Sequence, residues 1–252
     1  MARLDSLPVR RWCALLAAAW ALASLHALPA TAAELADRPP LQIWFVRHAE
    51  SEPSTATEGN DADAAGTLLP LTKRGIEQAL AFAEAHASTP IVAIYTSTLP
   101  RAIQTSDALA FRHRIPLKLA PEAVEIELGL SPADPQFAVL YQELRNKWFV
   151  EQDFEARLGN GESLADAQRR FLPFVREIMN RHALDSGVVI VMSHSGTLGF
   201  LLPMLLTNVS AEFASRHPLT HMGVIKTELA DNSLVCIEWV GIPSDRFEMA
   251  HP

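Results

Sequence analysis

Arg47-His48-Ala49-Glu50 stands directly after the apolar run Leu41 to Val46. A buried strand ending in an arginine and a histidine sets a cation and a nucleophilic imidazole together at a sheet's carboxyl edge, where open α/β folds bind their ligands. That pairing suits phosphate chemistry. Two further segments repeat the pattern. Ser97-Thr98-Leu99-Pro100-Arg101-Ala102-Ile103-Gln104-Thr105 follows an apolar run and opens a helix. Arg101 then lies in a first helical turn, where free N–H groups and the helix's positive end add to its own charge and suit a phosphate ligand. The run Val188 to Met192 leads through Ser193-His194-Ser195-Gly196, delivering a histidine into a small-residue turn before another helix. Three strands thus each end in a cationic or cation-capable group, a convergence hard to explain by folding alone.

The elements that must position these groups alternate short apolar runs with longer amphipathic ones, the signature of βαβ units. The expected fold class is α/β, with a mostly parallel central sheet, helices on both faces and a small inserted cap helix. Expected strands are Leu41 to Val46, Ile91 to Thr96, Pro116 to Leu119, Gly187 to Ser193, Met222 to Leu229 and Leu234 to Val240. The last two, joined through Asp231-Asn232-Ser233, read as a hairpin closing one edge. Thr72 can cap a helix to about Ala87 with Ile76, Leu80 and Ala83 on one face, and Leu99 to Phe111 forms a second. Glu162 to Ala183 is the longest, with Pro173 expected to kink or divide it. Thr197 to Leu206 follows, bent by Pro203. The aromatic-rich stretch Ser131 to Asp153 supplies the cap helix, and Glu52 to Leu69 reads as a loop beside the first motif.

With 252 residues and 49% apolar composition, the chain can bury one substantial core. Arg3, Arg10 and Arg11 precede an apolar stretch from Trp12 to about Leu28 and then Pro29-Ala30-Thr31-Ala32-Ala33, the pattern of a secretory signal with cleavage after Ala32 or Ala33. Ser24 and His26 interrupt the run, leaving it too short for a membrane span. The expected organisation is a signal peptide over 1–33 and one domain over 34–252, exported to the periplasm or secreted, with no stable membrane span after cleavage. Removing the signal leaves 18 basic against 28 acidic residues, a net charge of −10, which argues against nucleic acid as a partner. Cys13 lies in the signal and Cys236 in the body, so the mature chain can form no internal disulfide.

Taken together, these segments resemble the histidine phosphatase superfamily, which has the phosphoglycerate mutase-like fold, over Leu41 to Val240. Arg47-His48-Ala49-Glu50-Ser51 resembles the family's Arg-His-Gly-Glu-Thr signature, with Ala49 for the usual glycine. Leu71-Thr72-Lys73-Arg74-Gly75-Ile76-Glu77-Gln78-Ala79 is similar to its Leu-Thr-x-x-Gly-x-x-Gln-Ala helix start. Ser97 to Thr105 and Ser193 to Gly196 match its Ser-x-Leu-x-Arg-Ala-x-Gln-Thr and Ser-His-Gly-Gly segments. The resemblance implies His48 as nucleophile, with Arg47, Arg101 and His194 as the phosphate pocket beside Ser195, and an acidic proton donor after the second arginine. In Val124-Glu125-Ile126-Glu127-Leu128-Gly129, Glu125 is in register, with Glu127 and Glu122 as fallbacks. Gly161-Glu162-Ser163-Leu164 resembles the segment opening the helix before the last catalytic strand, where Glu162 reads as a helix-start residue rather than a reactant.

The residue types fit that implication. A phosphomonoester is dianionic near neutral pH, so the attacking group must be uncharged and the site must hold three non-bridging oxygens. Neutral imidazole meets the first need; two forked guanidiniums and a second histidine meet the other. Neighbouring guanidiniums disfavour protonation of His48, and its other ring nitrogen must be a donor, to a backbone carbonyl. The expected function is a metal-independent, cofactor-free phosphomonoester hydrolase working through phosphohistidine on a small-molecule phosphomonoester. His217 and His221 are expected to flank a turn and a strand start rather than bind an ion. The Ser51 to Leu69 stretch lacks the in-register asparagine of many relatives, Asn60 being its nearest substitute, and this gap with export argues against a mutase. Two alternatives stand beside hydrolysis of a small molecule: a phosphoprotein (phosphohistidine) phosphatase, and a catalytically silent phosphate-binding regulatory module. The leaving group and the oligomeric state stay open.

Overall fold

The computed structural model describes residues 40–52, 69–131 and 134–247. The signal segment, Cys13, Asn60 and most of the loop beside the first motif lie outside the described residues.

Seven strands form one sheet: β1 (Gln42–Arg47), β2 (Ile91–Thr96), β3 (Leu117–Leu119), β4 (Val188–Ser193), β5 (Val224–Ala230), β6 (Ser233–Trp239) and β7 (Ile242–Pro243), in the order β3-β2-β4-β1-β5-β6-β7. The first four run parallel, and β5, β6 and β7 add antiparallel ribbons beyond β1. The β5–β6 turn places Asp231 and Asn232 at φ 47° and 64°, the left-handed pair of a type I′ hairpin. This hairpin does not close the edge as expected. Gly241, at φ 80°, turns the chain once more, and the outermost strand is β7, whose Pro243 suits an edge because it needs no ladder donor.

β1 is apolar from Ile43 to Val46 because it is covered on both faces there. Ile43 and Phe45 point into a core with Phe171, Val175, Ile178, Trp148 and Leu198, while Trp44 and Val46 point into a second with Ala83, Ala102 and Leu109. Two helices, α1 (Lys73–Ala85) and α2 (Pro100–His113), serve the second face; α3 (Phe137–Phe149), α4 (Leu164–Arg181) and α5 (Ser195–Leu201) serve the first. A short α6 (Ala211–Arg216) follows. Cys236 is buried, and burial pushes its thiol up to about 12, so it is inert.

Local signals explain the helix boundaries. Thr72 caps α1 by accepting from Gly75 N–H at 3.0 Å. Ser163 and Asp166 form a reciprocal capping box at the start of α4. The expected division of α4 does not occur: it runs unbroken across Pro173, whose helix buries Phe171, Phe174, Val175 and Ile178 against the sheet and so outweighs the one lost bond. α5 stops before Pro203, which lies in a 3₁₀ turn. The buried face of α1 also differs from expectation. Ile76 and Leu80 are 51% and 58% exposed, and the stripe turned inward is Gly75, Ala79 and Ala83. The reason is distance: a Cβ at position 75 would lie 1.9 Å from the Glu50 carbonyl oxygen, so only a small-residue stripe lets α1 approach the first motif.

Candidate active site

Register brings the three motifs to one level. Arg47 pairs with Ser193 in the β1–β4 ladder, and Thr96 pairs with Met192 in the β2–β4 ladder. The residues that follow, His48, His194 and Ser97, therefore leave adjacent strand ends together. The rings of His48 and His194 are 4.9 Å apart.

His48 is fixed by both ring nitrogens. Nδ1 lies 2.7 Å from the Ala49 carbonyl oxygen, to which it must donate, and Nε2 accepts from Arg101 Nε at 3.1 Å. Only the tautomer with hydrogen on Nδ1 satisfies both, leaving the Nε2 lone pair on the cationic side. Burial first, then the charges of Arg101 and Arg47, push the His48 pKa down to about 3, against the raising effect of the Ala49 carbonyl. The ring is neutral at any ordinary pH.

His194 is fully buried and its pKa is held well below the ordinary value, by burial and by His48 and Arg101 nearby. Its Nε2 is 2.7 Å from Ser97 Oγ, while Nδ1 is buried without a hydrogen-bond partner. Arg47 is steered by Nη1 donating to the Leu219 carbonyl at 2.7 Å and Nη2 donating to His221 Nε2 at 3.0 Å; its Nε is buried and unsatisfied. Buried unsatisfied nitrogens cost roughly 1–3 kcal/mol each, and two of them here belong to groups expected to meet an anion.

Glu125 arrives from the segment after β3. Its Oε1 accepts from Thr197 N–H at 2.8 Å and from Ile126 N–H, and its Oε2 accepts from Gly196 N–H at 3.1 Å. It lies close enough to Arg47 to oppose the lowering of that guanidinium's pKa by burial. The two fallbacks stand apart: the Glu127 side chain is exposed, and Glu122 contributes its carbonyl to Arg170. Ser195 opens α5 and lines a cavity of about 490 Å³ that begins at Arg47. Glu162 lies just before the Ser163 cap and is held by Arg170 through both carboxylate oxygens at 2.8 Å.

All five residues expected to carry the chemistry therefore meet at one sheet edge, with Ser195 beside them. Four more were not assigned a role from sequence. Ser97 orients His194. Arg170 donates to the carbonyls of Glu122, Val124 and Glu125 and fixes the carboxylate's segment. Thr197 grips the same segment through the Val124 carbonyl at 2.7 Å. His221 braces Arg47; it precedes β5, which runs antiparallel beside β1, and only that pairing reveals it. The glutamines and threonine of the motifs turn out to be braces: Gln78, Gln104 and Thr105 accept from the N–H groups of Glu50, Leu71 and Ala49. Ala49 is tolerated in place of glycine because its methyl packs with Leu71 and Ala79.

The Proteus mirabilis protein named "Probable phosphoglycerate mutase GpmB" is 26% identical over 204 residues, covering 79% of this chain and 90% of its own. Phosphoserine phosphatase 1 of Hydrogenobacter thermophilus is 29% identical over 158 residues, 62% of this chain and 71% of its own. Among solved structures, mycobacterial glucosyl-3-phosphoglycerate phosphatase superposes with a TM-score of 0.62 at 21% identity, covering 79% of this chain and 98% of that one. The alpha-ribazole phosphatase of Shigella flexneri superposes at 0.60 and 18%, covering 79% and 96%. These likenesses share the fold. Residues 43–241, which hold every motif described above, match the model of the histidine phosphatase superfamily, branch 1. The chain belongs to that family.

Proposed function

We propose that this protein is a phosphatase that hydrolyses small phosphomonoesters through a phosphohistidine at residue 48. The observation that carries the reading is a neutral imidazole whose Nε2 lone pair faces a guanidinium while Nδ1–H is tied to a carbonyl. In the first step His48 Nε2 attacks phosphorus, the P–O ester bond breaks, and Glu125 gives its proton to the departing alkoxide. In the second, Glu125 takes a proton from water, the new O–P bond forms, and the N–P bond breaks to release phosphate. Arg47, Arg101, His194 and Ser195 hold the non-bridging oxygens, and the positive charge on phosphorylated His48 is eased by the Ala49 carbonyl. Two guanidiniums supply the charge neutralisation, so the reaction as proposed needs no metal or cofactor.

The cavity beside Arg47 supports a small organic leaving group over a protein side chain. The phosphatase names of three of the relatives support hydrolysis. The mutase name of the Proteus relative makes transfer to a second hydroxyl the competing outcome, and release of inorganic phosphate separates the two. The signal-like segment over 1–33 supports an exported enzyme whose mature chain is 34–252.

The experiment is turnover of 4-nitrophenyl phosphate with chelator present, by wild type, His48→Ala and Glu125→Gln, with alkaline quenching to trap phosphohistidine for peptide mass analysis. Wild type should be active and labelled at His48, and His48→Ala should lose about 10⁴-fold or more. Full activity in the alanine variant would overturn the covalent mechanism.

A further inference from the structure

The cavity lined by Arg47 is roofed by α3 and, among the described residues, holds one other guanidinium, Arg145. Its Cζ lies 5.9 Å from the Tyr141 ring centroid and 5.7 Å from that of Phe200. These rings hold the head group in place without neutralising it. Among the described residues Arg145 forms no ion pair, and its Nε is buried without a hydrogen-bond partner. The surrounding wall, with Phe149, Val150 and Leu219, is mostly apolar. Among the described residues the only carboxylate lining it is Glu212, whose side chain is 80% exposed and 3.9 Å from Arg216. Gly196, whose N–H holds Glu125 Oε2, lines the same cavity as Arg145, which sets Arg145 on the side of the site where the proton donor meets the leaving group.

We propose that Arg145 reads a carboxylate on the leaving group, so that the substrates are phosphomonoesters of hydroxy acids with an apolar or aromatic body. This rests on the phosphatase reading. A guanidinium kept short of its hydrogen bonds in an apolar wall is satisfied by a forked anion, and a substrate without that anion leaves it unsatisfied. The aromatic faces of Tyr141, Phe149 and Phe200 would hold the body between the two charges.

The test compares 4-(carboxymethyl)phenyl phosphate with its carboxamide, whose methylene keeps the two phenolic leaving groups nearly equal in acidity. The readout is the ratio of kcat/KM for acid over amide within each enzyme, so any loss of folded protein cancels. Wild type should favour the acid by about tenfold or more, as expected for a charge-assisted hydrogen bond. Arg145→Met should bring the ratio to within about threefold of one, and Arg145→Lys should keep part of the preference. Equal efficiency for acid and amide in wild type, or a preference kept by Arg145→Met, overturns the inference while leaving hydrolysis standing. Hydrolysis of neither compound, nor of 4-nitrophenyl phosphate, overturns the phosphatase reading and the inference with it.

Discussion

Gly196→Ala offers the sharpest test of how the carboxylate is aimed. A Cβ at 196 would lie 2.8 Å from Glu125 Oε1 and 3.3 Å from its Cδ. The obstructing atoms are the tip of a side chain, so the carboxylate gives way and the fold does not. Restoring an ordinary contact takes a retreat of about 0.6 Å, and that retreat weakens the bonds from Gly196 N–H and Thr197 N–H. General acid catalysis is worth about 10²–10⁴ in rate, and misplacement of about 1 Å can forfeit 10² of it. The cost should depend on the leaving group. For an alkyl phosphate, whose alkoxide must be protonated, we expect kcat/KM to fall about 10- to 20-fold. For 4-nitrophenyl phosphate, whose phenolate leaves without a proton, the fall should be under about threefold, because kcat/KM reports the first displacement alone. Thermal unfolding should move by only a few degrees. Equal losses on both substrates, or none on either, would refute the assignment of Glu125 as a positioned acid.

Two further outcomes follow from the same geometry. His48 stays neutral in the fold down to about pH 3, while in the unfolded chain it gains a proton near pH 6.5, so its contribution to stability is complete above 6.5 and is lost as pH falls from 6.5 towards 3. The loss is about 1.4 kcal/mol per pH unit, and urea unfolding of His48→Asn at pH 7, 6 and 5 should show a shallower slope than wild type; coincident slopes would contradict the neutral ring. His221→Leu removes one of the two acceptors steering Arg47, so competitive inhibition by orthovanadate should weaken about 2- to 12-fold, with His221→Gln restoring part of it; unchanged inhibition would show that the Leu219 carbonyl suffices.

What could be read from the chain was whatever a strand end announces locally. Arg47-His48, Arg101 and Ser193-His194 each follow an apolar run, so local pattern is enough to gather them, whereas Glu125 is picked out by its segment's resemblance to the family's pattern. His221 and Arg170 carry no such mark. Each acts on a group more than 40 positions away in sequence, through a pairing of β5 with β1 or a packing of α4 that local pattern does not encode. The buried face of α1 escapes local pattern for a related reason: hydrophobicity favours Ile76 and Leu80, whereas the close approach to the Glu50 carbonyl demands glycine and alanine. Pro173 signals a break through its lost donor, and the aromatic and branched residues that α4 buries outweigh it.

β1 lies between β4 and β5, and Arg47 takes its aim from Leu219 and His221 just ahead of β5. A chain made from its amino terminus can finish the four parallel strands and hold both histidines near one another while that arginine still lacks its brace. Catalytic competence should therefore be the last property acquired during synthesis. A nascent or truncated product ending before residue 219 would lack Ile225, Leu234 and Trp239 from the core as well as the brace on Arg47, so onset of turnover would report docking of the carboxyl-terminal ribbon, which completes both.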